Sequence, residues 1–505
     1  MKIAIRTDSS TLIGSGHIMR CLTLADELRQ RGANVIFICR RHPGHLIDLI
    51  EGKGYTVLQL PQSEVEYNPS PKDVVHSAWL GVSWKQDAAN TITALGDMQP
   101  QWLIIDHYAI DHRWDQMLRP LVGKIMVIDD LADRPHDCDL LLDQNLYQAM
   151  ETRYDNLVPE TCQRLLGPNY ALLRPEFTAA RKNLRQRSGE IKRVLVFFGG
   201  VDPTNETEKA LQALAGMYDR QSDVDVVVGG GNLHKEQIQN FCAAHSGFHY
   251  HCQVDNIAEL MAAADLAIGA GGATTWERCS VGLPSFITAV AGNQQELAET
   301  GARHGLFFYL GKSATVSPEK IQDALKVFIT SPESLQSYST IDLATVDAKG
   351  AQRVASLLCP PKFSIRRAVI DDCDSIYDWR NAEETRRYIF DAKSIPLETH
   401  RIWFCDTLKN PNRILLIGEI ENKPVGVLRY DFSGNEALIS VYLVPGGQGQ
   451  GVGSQLIRRG SQWIRRNYPN IRIINAEIFK ENVASLRAFE SAGYKEHHAI
   501  YKEVL

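Results

Sequence analysis

A histidine, His17, stands directly behind two glycines, Gly14 and Gly16, in the stretch RTDSSTLIGSGHIMRCLTLADEL. The residues before it, KIAIRT, read as an apolar strand. From Ile18 onward Cys21, Leu22, Ala25 and Leu28 keep helical spacing, and Gly32 is a natural stop. The spacing therefore predicts a strand-to-helix turn at Gly14–His17. Glycines there let backbone approach a ligand, and unpaired N–H groups at a helix start favour an anion such as a diphosphate. An imidazole at such a turn projects into a cleft and can take a proton near neutral pH. The same histidine would equally serve as a helix cap, and spacing alone leaves both roles open.

A second glycine turn lies in DLAIGAGGATTWERCSVGLP. Here a strand is followed by Gly271 and Gly272, then by a predicted helix from Ala273 to Val281 opened by Thr274 and Thr275. Two hydroxyls beside a glycine turn add donors to a phosphate cradle. Glu277 could accept hydrogen bonds from both hydroxyls of a ribose, or simply complement the helix dipole. FFGGVDPTN, with Gly200, repeats the scheme and offers Asp202 or Thr204 as a helix cap. GGGN at Gly229–Asn232 reads as a tight turn.

A third glycine run is Gln448-Gly449-Gln450-Gly451-Val452-Gly453. It sits between the strand SVYLV and a helix predicted over Gly451–Arg466, stopped by Pro469. It fits the pattern Q/R-x-x-G-x-G/A, in which successive backbone N–H groups wrap a pyrophosphate. A flexible glycine turn is the alternative for these six residues alone. Downstream come the strand IRIINAEIF and then Asn482-Val-Ala-Ser485-Leu-Arg-Ala-Phe-Glu-Ser-Ala-Gly493-Tyr494.

These turns need elements to hold them. KIAIRT, NVIFICR, WLIIDHY and KIMVIDD, then RVLVFFGG, DVDVVVGGG and ADLAIGAGG, alternate with helical patterns. Short β-rich runs separated by amphipathic segments predict parallel sheets of βαβ units. The rhythm breaks around Leu166–Pro175, so two doubly wound domains are expected, with ligands at the strand C-terminal ends. Cys359-Pro360-Pro361-Lys362 is a sharper stop. Beyond it RILLIGEIENKPVGVLRYD and ALISVYLVP read as antiparallel strands of a separate α+β domain.

The bulk composition excludes several classes. The chain has 505 residues, 44% hydrophobic and 23% charged, with net charge −6, an ordinary globular balance spread over about three domains. No Lys/Arg block would track nucleic acid, and no apolar run suggests a signal or a membrane span. Ten cysteines without a C-x-x-C pair suit reduced thiols and a cytoplasmic setting. Fifteen histidines without H-E-x-x-H give no metal site.

Taken together, IGSGHIMRCLTLA after Arg6-x-Asp8, SAWLGVSWKQDA, IIDHYAID, IDDLADRPHDCDLLLDQN, GPNYALLRPEF, FFGGVDPTN, GAGGATTWERC and AGNQ resemble one family. It is the PseG-type nucleotide-sugar hydrolases of pseudaminic acid biosynthesis, relatives of the MurG-type glycosyltransferases. The C-terminal region resembles the GCN5-related N-acetyltransferases, here of the PseH type. The resemblance implies an α/β chain with two facing Rossmann-like domains (glycosyltransferase-B type) and a C-terminal α+β acetyltransferase domain. Residues 1–170 would hold the catalytic histidine, 171–358 the uridine diphosphate (UDP) site, and 363–505 the acetyltransferase.

It also implies cleavage of UDP-2,4-diacetamido-2,4,6-trideoxy-β-L-altropyranose to the free sugar and UDP. His17 would be the base, with Tyr108 and Asn293 flanking the sugar. Gly14, Gly16, Gly200, Gly271, Gly272, Thr274, Thr275, Glu277 and Gln294 would bind substrate. No metal is implied, and the partners are small molecules, the UDP-sugar and acetyl-CoA. The second domain would acetylate the 4-amino group of the UDP-aminosugar precursor, with acetyl-CoA on Leu443, Gln448, Gly449, Gly451, Gly453, Ser454 and Asn482. The tyrosine frequent in that family's last helix is replaced by Phe489, leaving Tyr494 as a candidate acid, with Glu477, Glu436 and Asp431 as possible relays. The alternatives are a UDP-sugar glycosyltransferase fused to an acetyltransferase of another amine, or a hydrolase for a related nonulosonic acid precursor.

Overall fold

The computed structural model describes residues 1–505 except 64–66, 218–221, 361, 388–392, 448–450 and 497–505. Gln448 and Gly449 therefore lie outside the described residues. The chain forms two compact units, Met1–Pro360 and Pro361–Leu505.

The first unit holds two parallel sheets. One has seven strands: β1 (Lys2–Thr7), β2 (Asn34–Arg40), β3 (Thr56–Leu60), β4 (Trp102–Asp106), β5 (Lys124–Ile128), β6 (Leu140–Asp143) and β7 (Gln163–Leu166), in spatial order β3-β2-β1-β4-β5-β6-β7. The other has six: β8 (Arg193–Phe197), β9 (Asp223–Val228), β10 (Phe248–Cys252), β11 (Leu266–Ala270), β12 (Ser285–Ala289) and β13 (Phe308–Lys312), in order β10-β9-β8-β11-β12-β13. Both orders reverse direction beside the first strand of the sheet, which opens a crevice at the strand C-terminal ends.

Side-chain alternation explains why these strands read as continuous apolar runs. In β1, Ile3 and Ile5 join a core with Cys21, Leu22 and Leu28 of helix Gly16–Gln30, while Ala4 faces an opposite core with Leu103, Ile105 and Trp114. In β11, Leu266, Ile268 and Ala270 face one core and Ala267 the other. A strand covered on both faces has no polar side to display.

One helix departs from chain order. Gly350–Leu358 belongs by sequence to the stretch expected to form the second half, yet Ala351, Val354, Ala355 and Leu358 complete the core under the His17 helix. The packing thus changes hands near Gly350 rather than at 358. A Cβ on Gly350 would lie 2.3 Å from the Ala171 carbonyl oxygen, so this return depends on glycine.

The second unit is a mixed five-stranded sheet in the order β14 (Phe363–Arg367), β15 (Arg413–Ile420), β16 (Lys423–Ser433), β17 (Glu436–Leu443) and β18 (Ile473–Ala476). The first four are antiparallel neighbours, and β18 runs parallel to β17. Helix Val452–Asn467 covers one face through Leu456, Ile457 and Ile464. Among the described residues no helix is long and apolar enough to cross a membrane.

Candidate functional site

The His17 turn is built as its sequence requires. Gly14 has φ +81°, a left-handed conformation that glycine accepts without strain, and its N–H bonds the Ser10 carbonyl at 2.9 Å. Helix Gly16–Gln30 follows, and His17 is buried in its first turn. Nδ1 of His17 lies 2.6 Å from Oδ1 of Asp106, the last residue of β4. A carboxylate only accepts, so Nδ1 carries the proton and Nε2 is left with its lone pair.

Arg20, one turn after His17, fixes the carboxylate from the other side. Its Nε donates to Oδ2 and its Nη2 to Oδ1 of Asp106, both at 2.6 Å. Nη2 also lies 3.2 Å from His17 Nδ1, but two donors form no bond. Burial alone would raise the Asp106 pKa. Arg20 and then His17 overcome it and hold the carboxyl well below the usual range.

Tyr108 meets the His17 ring edge-on, with centroids 4.6 Å apart. Its hydroxyl donates to Asp130 Oδ1 at 2.5 Å. Burial, with Asp130 acting the same way, pushes the phenol well above its ordinary value. The proton stays on Tyr108, and its oxygen remains free to accept. Trp79 stacks on Tyr108 at 5.5 Å, and His76 lies 4.6 Å from Trp79, so aromatic rings line the approach to His17.

A hydrogen-bonded path joins this cluster to the other sheet. Asn145 Nδ2 donates to Asp130 Oδ2 at 3.1 Å, and Trp276 Nε1 donates to Asn145 Oδ1 at 2.9 Å. Trp276 belongs to helix Thr274–Ser280, which follows Gly271 and Gly272. Gly272 and Gln294 are neighbours: a Cβ on Gly272 would sit 3.5 Å from the Gln294 amide nitrogen. Gln294 Oε1 accepts from Val290 N at 3.1 Å, which ties the turn after β12 to the same corner.

Other sequence-selected residues are placed differently. Thr275 is buried, and its Oγ1 accepts from Arg278 Nη2 at 3.2 Å, so its hydroxyl does not face solvent as Thr274's partly exposed side chain does. Glu277 pairs with Arg174 at 3.2 Å, and burial raises its pKa against that pairing. Asn293 is exposed in the first turn of helix Gly292–Arg303. Gly200 and Gly229 pack backbone to backbone, a Cβ on Gly229 falling 2.2 Å from the Gly200 oxygen. Asp202 rather than Thr204 caps the next helix, accepting from Glu206 N at 3.0 Å and Thr207 N at 2.9 Å.

In the second unit β17 pairs with β16 along its length but with β18 only over Glu436–Ile439. The strands then part, and among the described residues one edge of Ser440–Leu443 has no strand partner, a place where an extended chain can add hydrogen bonds. Gly451 has φ +71° and caps helix Val452–Asn467, and Ser454 Oγ donates to the Gly451 carbonyl at 2.9 Å. A Cβ on Gly453 would lie 3.9 Å from Leu443 Cδ1, which brings the helix start beside the parted edge.

Asn482 caps the last described helix through Ser485 N at 3.1 Å. Phe489 is buried in the core. The Tyr494 hydroxyl lies 2.8 Å from Ser461 Oγ, well along the helix from Ser454, and burial raises its pKa. Asp431 pairs with Arg413 and Arg429, Glu436 accepts from Asn475 Nδ2 at 2.8 Å, and Glu477 is exposed.

Sequence reasoning did not single out Asp106, Arg20, Asp130, Asn145 or Arg278. Asp106 had a signal, a carboxylate closing the apolar run WLIID at a strand C-terminus. Arg20, Asp130 and Asn145 are defined by partners distant in the chain, whereas Arg278 bonds its near neighbours Ala270, Thr274 and Thr275.

Residues 194–354 match the Glycosyltransferase family 28 C-terminal domain, and residues 373–494 match the Acetyltransferase (GNAT) family. Over 262 residues the chain is 31% identical to the UDP-2,4-diacetamido-2,4,6-trideoxy-beta-L-altropyranose hydrolase of Campylobacter jejuni subsp. jejuni, covering 52% of this chain and 81% of that one. The chain belongs to that hydrolase's family. This family region is fused here to a GNAT domain. An uncharacterized protein of Methanocaldococcus jannaschii, MJ1062, is similar along nearly the full length, 23% identical over 98% of this chain and 97% of its own. The MurG structure of Acinetobacter baumannii shares the fold of the first unit, with TM-score 0.50 and 13% identity over 71% of this chain and 98% of that one. The two Rossmann-like halves and the C-terminal GNAT domain are thus the architecture expected, and both belong to enzyme families. Among the described residues no three His, Cys, Asp or Glu side chains are grouped to hold a metal ion.

Proposed function

We propose that the first unit hydrolyses UDP-2,4-diacetamido-2,4,6-trideoxy-β-L-altropyranose to the free sugar and UDP. The observation that carries this reading is the Asp106–His17 pair at 2.6 Å, which leaves Nε2 as a base inside the crevice. Nε2 takes a proton from water as its oxygen bonds the anomeric carbon, and the bond from that carbon to the diphosphate oxygen breaks. UDP departs with the bonding electrons. A positioned base contributes about 10²–10⁴ in rate. Gly14 and Gly16 keep space open before His17, since a Cβ on either would meet nothing within 4 Å. Tyr108 and Asn293 flank the sugar in this reading. Gly271, Gly272, Thr274 and Gln294 receive the diphosphate, and Glu277 the ribose.

The second unit, in the same proposal, transfers the acetyl group of acetyl-CoA to the 4-amino group of the UDP-linked precursor. The pantetheine arm adds to the Ser440–Leu443 edge, and the pyrophosphate rests on Gly451, Gly453 and Ser454. The amine nitrogen attacks the thioester carbonyl, CoA leaves as the thiolate, and the nitrogen gives up a proton. An acetyltransferase making the diacetamido sugar and a hydrolase consuming it would act in sequence.

The test is mass spectrometry of the full chain given acetyl-CoA and a UDP-4-amino-4,6-dideoxy-N-acetyl sugar. Acetylation followed by UDP release is expected; His17→Asn should stop at the acetylated nucleotide. The family 28 match favours a transferase as second reading. UDP release that requires an added sugar or lipid acceptor would establish it and refute hydrolysis.

A further inference from the structure

Arg278 lies beneath the turn that follows β11 and is 1% exposed. Its Nη1 donates to Thr274 Oγ1 at 3.1 Å, and its Nη2 to Thr275 Oγ1 at 3.2 Å and to the Ala270 carbonyl at 2.8 Å. Nε is buried with no hydrogen-bond partner. Three neutral oxygens thus surround a guanidinium, and no carboxylate stands within ion-pair distance of it among the described residues. The neighbouring Glu277 pairs with Arg174 instead. Asp342, also buried, makes no ion pair with it; burial pushes its carboxyl well above the usual range, against the pull of Arg278.

A buried cation with no carboxylate in ion-pair contact is disfavoured, and here burial, outweighing the more distant Glu277 and Asp342, pulls the guanidinium pKa down to about 10. Such a charge persists where another requirement holds it in place. The geometry supplies one. A threonine hydroxyl that accepts from arginine has its own proton left to donate. Thr275 is buried, but Thr274 is partly exposed and stands two residues after Gly272.

We infer that Arg278 is a positioning residue for an anion of the nucleoside diphosphate class. Through Thr274 it presents a polarised O–H at the Gly271–Gly272 turn, and the anion supplies the missing opposite charge. The inference rests on the reading of that turn as the diphosphate site. It does not depend on a helix dipole, since Thr274–Ser280 has only seven residues.

The experiment is calorimetric titration of the full chain with UDP and with uridine. Arg278→Met should weaken UDP about tenfold, about 1.4 kcal/mol, and leave uridine unchanged. Thr274→Val should show the same selective loss, and the double variant no more than either single change, because both interrupt one relay. Retained UDP affinity in Arg278→Met, or equal loss of UDP and uridine, overturns the inference. So does a wild type that binds no UDP. If Arg278→Met fails to fold in a melting scan, Thr274→Val decides by the same criterion. Binding is read without turnover, so the two readings separate. Selective loss in a chain that never releases UDP from the sugar refutes only the hydrolysis; hydrolysis with unaltered UDP binding in the variants refutes only the relay.

Discussion

Asp106→Asn tests whether the His17 tautomer carries the chemistry. The carboxylate accepts from His17 Nδ1 and Arg20 Nη2 on one oxygen and from Arg20 Nε on the other, all at 2.6 Å. An amide has one accepting oxygen and one NH₂ group. If NH₂ faces His17, Nδ1 must accept and the ring proton moves to Nε2, which removes the base. If NH₂ faces Arg20 Nε, two donors are forced together in a buried site. Either way the base is misassigned or displaced, and kcat should fall about 10²–10⁴-fold. Breaking a buried ion pair also costs about 3–5 kcal/mol, so the melting temperature should drop while the chain stays folded at room temperature. The assay is continuous detection of UDP from the diacetamido sugar nucleotide, with UDP affinity measured in parallel. A folded variant turning over within about threefold of wild type would refute the reasoning, as would a loss confined to UDP affinity.

Burial, with Asp130 acting the same way, raises the Asp143 carboxyl to about 8. Its folded value lies above the unfolded value of about 4, so the folded chain holds an extra proton between them and loses stability as pH rises through that window. From pH 6 to pH 9 the wild type should lose about 1–3 kcal/mol that Asp143→Asn does not, as denaturant unfolding at the two pH values would show. Trp276→Phe removes the N–H that Asn145 accepts; turnover and melting temperature should both fall, with about 1–3 kcal/mol lost for the orphaned amide oxygen, measured by the same assays. Gly451→Ala forces a side chain onto φ +71°, so the acetyltransferase unit should lose about 1 kcal/mol and bind acetyl-CoA more weakly in calorimetry, while UDP release is unchanged.

What the sequence disclosed follows from how local each signal is. His17 was legible because strand, glycines and helix are contiguous, and local periodicity marks all three. Leu443, on the parted edge, was reached only through the resemblance to the acetyltransferases, since nothing local marks where two strands separate. Asp106 escaped because it lies 89 residues from His17, and nothing local ties a strand-end carboxylate to an imidazole on another element. Thr274 and Thr275 look alike in sequence, and only the buried Arg278 shows that one hydroxyl faces inward. Helix Gly350–Leu358 reads as an ordinary amphipathic helix; which core it completes is a long-range fact that periodicity does not encode.

That returning helix makes the chain pass between the two sheets of the first unit twice, at Tyr170–Ala171 and at Gly350, with the passages backbone to backbone. At that crossing the two passages lie too close for any side chain, a Cβ on Gly350 falling 2.3 Å from the Ala171 oxygen, so a larger residue there would have to push the two threads apart.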